Sequence, residues 1–269
     1  MRLVERGFVK EYYQHEIESL TDDELVQRDS ASVEELVASV VRYAILSHRW
    51  GPKEPTYADL ASKSTDRLRC SSGPGYAKLY SFCLEAQRRG YLFAWSDTCC
   101  IDKSSSAELD ESVRSMFRWY RNSDICIVHL SQTEQRDDLR CDEWFFRGWT
   151  LQELLAPRRI KFFNSRWKAL TSDVNDKDTT SSLLLSISEV TEIPRLDIAF
   201  FSPLTYAVDT RMTWAAKRVT TRAEDVAYSL MGVFGVSFQI AYGEGADRAF
   251  ARLIEAIILS GCDLSVLNW

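Results

Sequence analysis

Polar side chains that could carry chemistry follow directly after short apolar segments of this sequence. Residues 47–51 follow the apolar run 43–46, residues 97–103 follow 91–95, and residues 147–153 come after 125–128. Because ligands of open parallel α/β sheets bind beyond the carboxyl ends of the strands, we expect these three segments to converge. The candidate binding residues are Ser47, His48, Arg49, Trp50, Asp97, Cys99, Asp102, Arg147 and Trp149.

Glu153 is the candidate catalytic residue. It lies four residues after Trp149 on a short predicted helix that ends before Pro157, so the two side chains share a helix face. A carboxylate beside an indole is suited to a flat cationic or aromatic ligand. The alternative is a solvent-exposed glutamate on an amphipathic helix, the usual place of this residue type.

Each of the other candidates also has a structural alternative. His48 could be a general base beside Asp97 or Cys99, or a hydrogen-bonded turn histidine. The Cys99-Cys100 pair could hold a nucleophile, but no neighbouring feature indicates a lowered pKa, which favours buried inert thiols. Asp97 and Asp102 could bind a ligand or cap the following turn. The sequence has no phosphate-loop motif and no GxGxxG after a predicted strand, which argues against ATPase and Rossmann functions.

The composition is that of an ordinary globular protein. The 269 residues include 33 Lys and Arg and 39 Asp and Glu, which gives a net charge of −6, and 45% of the residues are hydrophobic. The acidic balance argues against a dedicated nucleic-acid binder. The sequence lacks an apolar run of membrane-spanning length, and charged residues near the N-terminus argue against a signal peptide. Seven cysteines without a CxxC pair and three histidines without zinc-site spacing predict free thiols, no metal, and a cytoplasmic location.

Apolar strand-like and amphipathic helix-like segments alternate in the first part of the chain. The predicted strands are 43–47, 91–95, 125–128 and 160–163, and the predicted helices between and after them are 76–86, 109–120 and 149–155. Continuously apolar strands that alternate with helices predict a parallel sheet covered on both faces, a doubly wound α/β fold.

The predicted core covers residues 41–165, and a helical extension packed on it covers residues 180–269. The helices expected in the extension are 182–190, 212–218, 224–234 and 247–260. Residues 52–75 are expected to form a long loop. Residues 1–40 form an acidic segment in which capping boxes at Thr21 and Ser32 predict two short helices without chemistry.

In several runs the sequence resembles the heterokaryon incompatibility (HET) domain of filamentous fungi. The matching runs are 43–51, 97–103, 116–120, 147–157, 221–232 and 240–245. HET domains are cell-death effectors of fungal non-self recognition, and they distantly resemble TIR domains, which have a flavodoxin-like core. Many TIR domains cleave NAD+ with a glutamate in a W-x-x-x-E pattern, and residues 149–153 have that spacing. The resemblance therefore implies a TIR-like parallel sheet and a functional Glu153.

Three functional hypotheses follow. The first is an NAD+ or nucleotide hydrolase that self-associates on a signal from a trigger protein, with NAD+ as substrate rather than bound cofactor. In it Trp50 or Trp149 stacks on a base, Arg49 meets phosphate, and Ser47 and Asp97 bond to ribose or amide groups. The second is a non-enzymatic module that kills by homotypic assembly. The third, ranked last because a nucleophile elbow is missing, is a hydrolase built on Cys99 or Ser47 with His48.

Overall fold

The computed structural model describes residues 4, 8–9, 11–14, 41–61, 73–203, 205–261 and 264–268. Within them four strands form one parallel sheet: β1 (Tyr43–His48), β2 (Phe93–Trp95), β3 (Ile125–His129) and β4 (Ile160–Phe163). Their order is β2-β1-β3-β4, that of the first four strands of the flavodoxin-like order. The predicted α/β fold with a parallel sheet is confirmed. The strand order reverses between β1 and β3. The carboxyl ends of these two strands therefore form the switch point, the place at which such sheets bind ligands.

Helices connect and cover the strands. The α-helices are α1 (Tyr57–Ala61), α2 (Pro74–Arg88), α3 (Ser106–Asn122), α4 (Thr150–Leu155), α5 (Ser182–Thr191), α6 (Arg195–Ala199), α7 (Val208–Ala215), α8 (Asp225–Tyr228), α9 (Met231–Phe234) and α10 (Ala246–Gly261). Short 3₁₀ helices span Arg136–Cys141, Glu143–Phe146 and Leu264–Leu267. Since consecutive parallel strands need a crossover connection, α2 and α3 are the elements that make the parallel pairing possible.

The register of the sheet places neighbouring residues of β1 on opposite faces. Ser47 pairs with Val128 and His48 pairs with His129 across β1 and β3. Alternate residues of a strand point to opposite sides, so Ser47 faces the larger core and His48 faces the smaller one. The larger core contains the apolar residues of α3, α4 and the later helices, whereas the smaller contains those of α2.

The later helices pack on the sheet, as expected. One hydrophobic cluster joins Ile45 and Val128 of the sheet to Leu183 of α5, Met212 of α7 and Leu253 of α10. Burial of these side chains between the sheet and the later helices supplies the apolar contact area that holds the helical extension in place.

Several predicted boundaries were wrong. The helix expected at 212–218 is α7, which starts at Val208, and the helix expected at 224–234 is divided into α8 and α9. The loop expected at 52–75 contains α1, and α6 was not predicted. Such short helices rely on tertiary contacts rather than on a long periodic pattern. The two helices predicted within 1–40 lie outside the described residues. No helix of the described part is long and apolar enough to cross a membrane.

Candidate functional site

Glu153 lies inside the protein. All six residues of α4 are buried, and Glu153 is only 8% exposed, so the alternative of a solvent-exposed glutamate is wrong. Its Oε2 accepts a 2.5 Å hydrogen bond from the Ser47 hydroxyl at the end of β1. The Ser47 oxygen in turn accepts a 2.8 Å hydrogen bond from the indole N–H of Trp144. The three side chains form a buried chain at the switch point of the sheet, which we call the carboxyl site.

The environment of the carboxyl site favours the neutral form of Glu153. Burial, assisted by the negative charge of Asp97, raises the pKa of Glu153 from 4.5 to about 8. The hydrogen bond from Ser47, the nearby Tyr120 side chain and the positive charge of Arg147 oppose this shift without cancelling it. A buried carboxyl with a pKa near neutrality is the kind of group found at catalytic sites, and it is also expected of any carboxyl without a close cation.

A partly buried arginine anchors the N-terminal end of α4. The guanidinium of Arg218 donates to the Arg147 carbonyl and to the Thr150 hydroxyl oxygen, both at 2.9 Å. The Thr150 hydroxyl donates to the Trp144 carbonyl at 2.5 Å. Burial lowers the pKa of Arg218 to about 9, although the charge of Glu153 opposes that change. Arg218 thus places a positive charge on the helix that carries the carboxyl group.

A buried lysine anchors the opposite end of α4. The Lys177 ammonium donates to the carbonyls of Leu154, Leu155 and Pro157 at 3.1, 2.8 and 2.7 Å. The last carbonyls of a helix have no partner within the helix, and a cation there also suits the negative end of the helix dipole. Burial lowers the pKa of Lys177 to about 7. Because a six-residue helix is unstable alone, these contacts fix the position of Glu153.

Asp97 is the centre of a second polar group beside the carboxyl site. One of its oxygens accepts the indole N–H of Trp50 at 2.8 Å, and the other lies 3.4 Å from His48 Nε2. The Lys103 ammonium lies 4.2 Å from the centre of the Trp50 ring, which is 47% exposed. Burial alone would raise the pKa of Asp97, but His48, Lys103 and Trp50 outweigh it and lower this pKa. Asp97 is therefore a carboxylate within reach of the protein surface.

Three other predicted binding residues have side chains paired with groups outside the carboxyl site. Arg49 forms a 2.5 Å ion pair with Glu143 at the surface. Asp102 accepts hydrogen bonds from the backbone N–H and the hydroxyl of Ser104, the turn-capping alternative for this aspartate. The guanidinium of Arg147 donates to the Thr221 hydroxyl.

The indole of Trp149 is directed to the helical extension. Its hydrogen bond with Asp225 lowers the pKa of that carboxyl, although burial keeps the pKa raised overall, and Asp225 also accepts the Tyr242 hydroxyl. The expected pairing of Trp149 with Glu153 is thus replaced by a hydrogen-bonded chain through Trp144 and Ser47.

The arrangement gives no support to a thiol or serine nucleophile. Cys99 is buried, and its interaction with Cys100 together with burial raises its pKa, so the reactive thiolate is disfavoured. The Ser47 hydroxyl donates to Glu153, while His48 lies on the opposite face of the sheet. Among the described residues no group of three or more His, Cys, Asp or Glu side chains is placed to hold a metal ion.

Sequence reasoning missed four residues that build the site: Trp144, Tyr120, Lys177 and Arg218. The apolar run 144–146 inside a polar loop was a usable signal for Trp144. Tyr120 was assigned only to the apolar stripe of α3, and its hydroxyl donates to the Leu46 carbonyl at 2.9 Å. Lys177 and Arg218 carry no local signal, since a lysine or arginine in a polar segment is normally solvated.

Comparison with known proteins gives two matches. The family model for heterokaryon incompatibility protein (HET) matches residues 43–141, which include Ser47 and Asp97 and end before α4. The vegetative incompatibility protein HET-E-1 of Podospora anserina is 46% identical over 230 residues, covering 80% of this chain and 16% of its own length. The chain therefore spans about one sixth of that relative. No solved structure shows a significant match to the chain.

Proposed function

Because the chain carries a heterokaryon incompatibility (HET) domain, we propose that it acts in heterokaryon incompatibility as a hydrolase of the N-glycosidic bond of NAD+ or a related nucleotide. The observation that supports this activity is the buried Glu153–Ser47 pair at the switch point of a parallel sheet. The carboxyl group of Glu153 is carried by α4, a helix fixed at both ends, and a catalytic group must be held in place in this way. Killing of the cell would follow from loss of the nucleotide.

The reaction needs only one carboxylate. The bond between ribose C1′ and the pyridinium nitrogen breaks, its electron pair neutralises the nitrogen, and nicotinamide leaves without protonation. Water then adds to the oxocarbenium-like C1′ and loses a proton. Glycosidases that expel an oxygen leaving group use a second carboxyl group as the acid, which this leaving group makes unnecessary.

Each group of the site has a defined task in this reaction. Glu153, once ionised, lies opposite the positive charge that develops on the ribose, and a cationic substrate promotes that ionisation. Ser47 orients the carboxylate through its hydrogen bond. Asp97 is placed to accept ribose hydroxyl or amide hydrogens, and the exposed Trp50 ring offers a stacking surface.

The enclosed position of Glu153 requires an opening step. Its carboxyl group bonds to Ser47 inside the core, so the substrate can reach it only after part of the surrounding chain moves. Self-association triggered by another protein is the proposed cause of this movement. Binding energy from assembly can shift such an equilibrium only if the open form is the one that assembles.

Nicotinamide release from NAD+ by the purified protein, free and clustered on a multivalent scaffold, tests the activity. Glu153→Gln retains the shape of the side chain and an acceptor for Ser47, and should lower the rate by ~10²–10³, the loss typical for removal of a main electrostatic stabiliser. Glu255→Gln, on the exposed face of α10, is the matched control and should retain the wild-type rate. Intact NAD+ after incubation with a verified oligomer would reject NAD+ as the substrate, and intact related nucleotides in the same assay would reject the proposed hydrolase activity.

A second candidate is a non-enzymatic module that kills by assembly. It is favoured by the fact that Glu153 already has a buried partner and so could be purely structural. Full killing by Glu153→Gln in cells, with unchanged assembly, would favour this candidate. Loss of killing in that variant while assembly persists would exclude it.

A further inference from the structure

Two adjacent histidines have ring nitrogens without hydrogen-bond partners. Among the described residues four buried side-chain nitrogens lack a partner, and three of them belong to His48 and His129. Both side chains are more than nine-tenths buried. A buried polar group without a partner destabilises the fold, so natural proteins rarely retain one without a function.

The two imidazoles lie side by side at the switch point. His48 and His129 are paired in register at the carboxyl ends of β1 and β3, and paired strands lie about 4.8 Å apart. Paired residues point to the same side of a sheet, so both rings face the smaller core, opposite Ser47. Asp97 joins the two faces, because it lies 3.4 Å from His48 Nε2 and its charge also raises the pKa of Glu153.

A strained tryptophan covers His129. The Trp167 ring stacks on the imidazole with 4.6 Å between ring centres and 17° between planes. Its backbone φ of 58° lies in the left-handed region, which bulky residues avoid and which recurs at functional sites. Because Trp167 is only partly buried, the stack reaches the protein surface.

Charged groups complete the surroundings of the two rings. Lys78 donates to Glu54 and to the Arg49 carbonyl, and Glu54 lies 3.8 Å from His48 Nδ1, too far for a hydrogen bond. Burial, together with the charge of Lys78, lowers the pKa of His129 to about 4 against a weaker opposing effect of the Ser165 backbone. A neutral imidazole offers one donor and one acceptor, and neither ring nitrogen of His129 lies within close hydrogen-bond geometry of another group, although the Ser165 backbone is near enough to affect its pKa.

We propose that His48, Glu54, Lys78, His129 and Trp167 form a ribose subsite, in which the imidazoles and the carboxylate bind sugar hydroxyls. A hydroxyl both donates and accepts, which matches an unpaired neutral imidazole, and a carboxylate is a common partner of ribose hydroxyls. The balanced Lys78–Glu54 pair favours a neutral group over an anion. This inference rests on the proposed function and deepens it.

The position of the subsite specifies a dinucleotide. In the proposed reaction the ribose that is cleaved must lie at Glu153, on the other face of the sheet. A second ribose on the same ligand, that of the adenosine half, can then cross the sheet edge near Asp97 and reach the histidines. A mononucleotide has only one ribose and cannot occupy both places.

Binding of AMP and 2′-deoxy-AMP to the intact chain, measured by calorimetry, tests the subsite without any hydrolysis. The wild type should prefer AMP by ~3- to 10-fold, the value of one neutral hydrogen bond. His129→Phe keeps a ring on Trp167 but removes both nitrogens, so the preference should vanish. His129→Gln, which restores a donor and an acceptor, should retain part of it.

Stability measurements separate ligand recognition from structural support. Removing unpaired polar atoms should leave the thermal midpoint of His129→Phe equal to or above that of wild type. If the larger ring does not fit and the midpoint falls, His129→Leu takes its place. Failure of the wild type to prefer AMP, or a preference retained in the folded Phe or Leu variant, would overturn the subsite. Preference for AMP without cleavage of NAD+ or a related nucleotide would reject the proposed activity and leave the subsite standing.

Discussion

Glutamine in place of Glu153 should stabilise the fold increasingly as the pH rises from 5 to 8. In the folded chain burial raises the pKa of Glu153 from 4.5 to about 8, so between these values the unfolded state ionises first. The folded state then holds more protons than the unfolded state, and its stability falls as the pH rises. Glutamine cannot ionise and is free of this penalty.

The size of the effect follows from the two pKa values. With one pKa unit equal to about 1.4 kcal/mol, the penalty is about 1 kcal/mol at pH 5 and about 4 kcal/mol at pH 8. The free-energy advantage of Glu153→Gln over wild type should therefore grow by about 3 kcal/mol across this range. For a chain of this size that corresponds to a change of ~6–12 °C in the difference between the two melting temperatures.

Thermal and urea unfolding of wild type and Glu153→Gln at pH 5, 6, 7 and 8 measures this difference directly. Other titrating groups affect both proteins equally and cancel in the comparison. Glu255→Gln, an exposed glutamate on α10, serves as the matched control and should show a constant offset. A flat difference between Glu153→Gln and wild type would refute the reasoning, because it would mean that Glu153 ionises in the fold as it does in the unfolded chain.

Three further substitutions probe the fold around the site. Ser47→Ala should lower the free energy of unfolding by about 1–3 kcal/mol in urea titration, because it leaves the buried indole N–H of Trp144 unpaired. Ser47→Thr keeps a hydroxyl and should therefore show a smaller loss. Asp176→Asn should cost ~3–5 kcal/mol in the same assay, since it leaves the buried Lys161 ammonium, 2.9 Å away, without a counter-charge. Gly232→Ala should cost at least ~1–3 kcal/mol in the same assay, because its Cβ would lie 2.1 Å from Phe117 Cβ and one of the two must shift. Wild-type stability in any of the three would contradict the contact named.

Local pattern was sufficient to identify the sheet. Strands β1, β3 and β4 begin at the predicted residues because each is a short, continuously apolar run, as expected of strands buried on both faces. The long helices α2, α3 and α10 were likewise found from apolar residues at helical spacing. The short helices α1, α6, α8 and α9 were missed or merged, because four or five residues carry too little periodicity.

The candidate site was only partly predictable. The sequence identified Ser47, Asp97 and Glu153, since side chains after parallel strands and on the adjoining helix must lie at one edge of the sheet. Spacing along α4 suggested Trp149, whereas the tryptophan bonded to Ser47 is Trp144, from the preceding 3₁₀ helix. Helical spacing predicts which face of a helix a residue occupies, but it does not predict the direction of a side chain in the turn before that helix.

By itself the sequence determined the order of the strands and of the long helices, the residues at the strand ends, and the charge and thiol content of the chain. These depend on local periodicity and composition, which do not change on folding. Only the tertiary structure decided that Glu153 is buried with a raised pKa, that Lys177 and Arg218 fix its helix, and that His48 and His129 share one face. Burial, pKa and hydrogen bonding depend on residues far apart in the chain, such as Ser47 and Glu153 at a separation of 106 positions, and only folding brings such residues together.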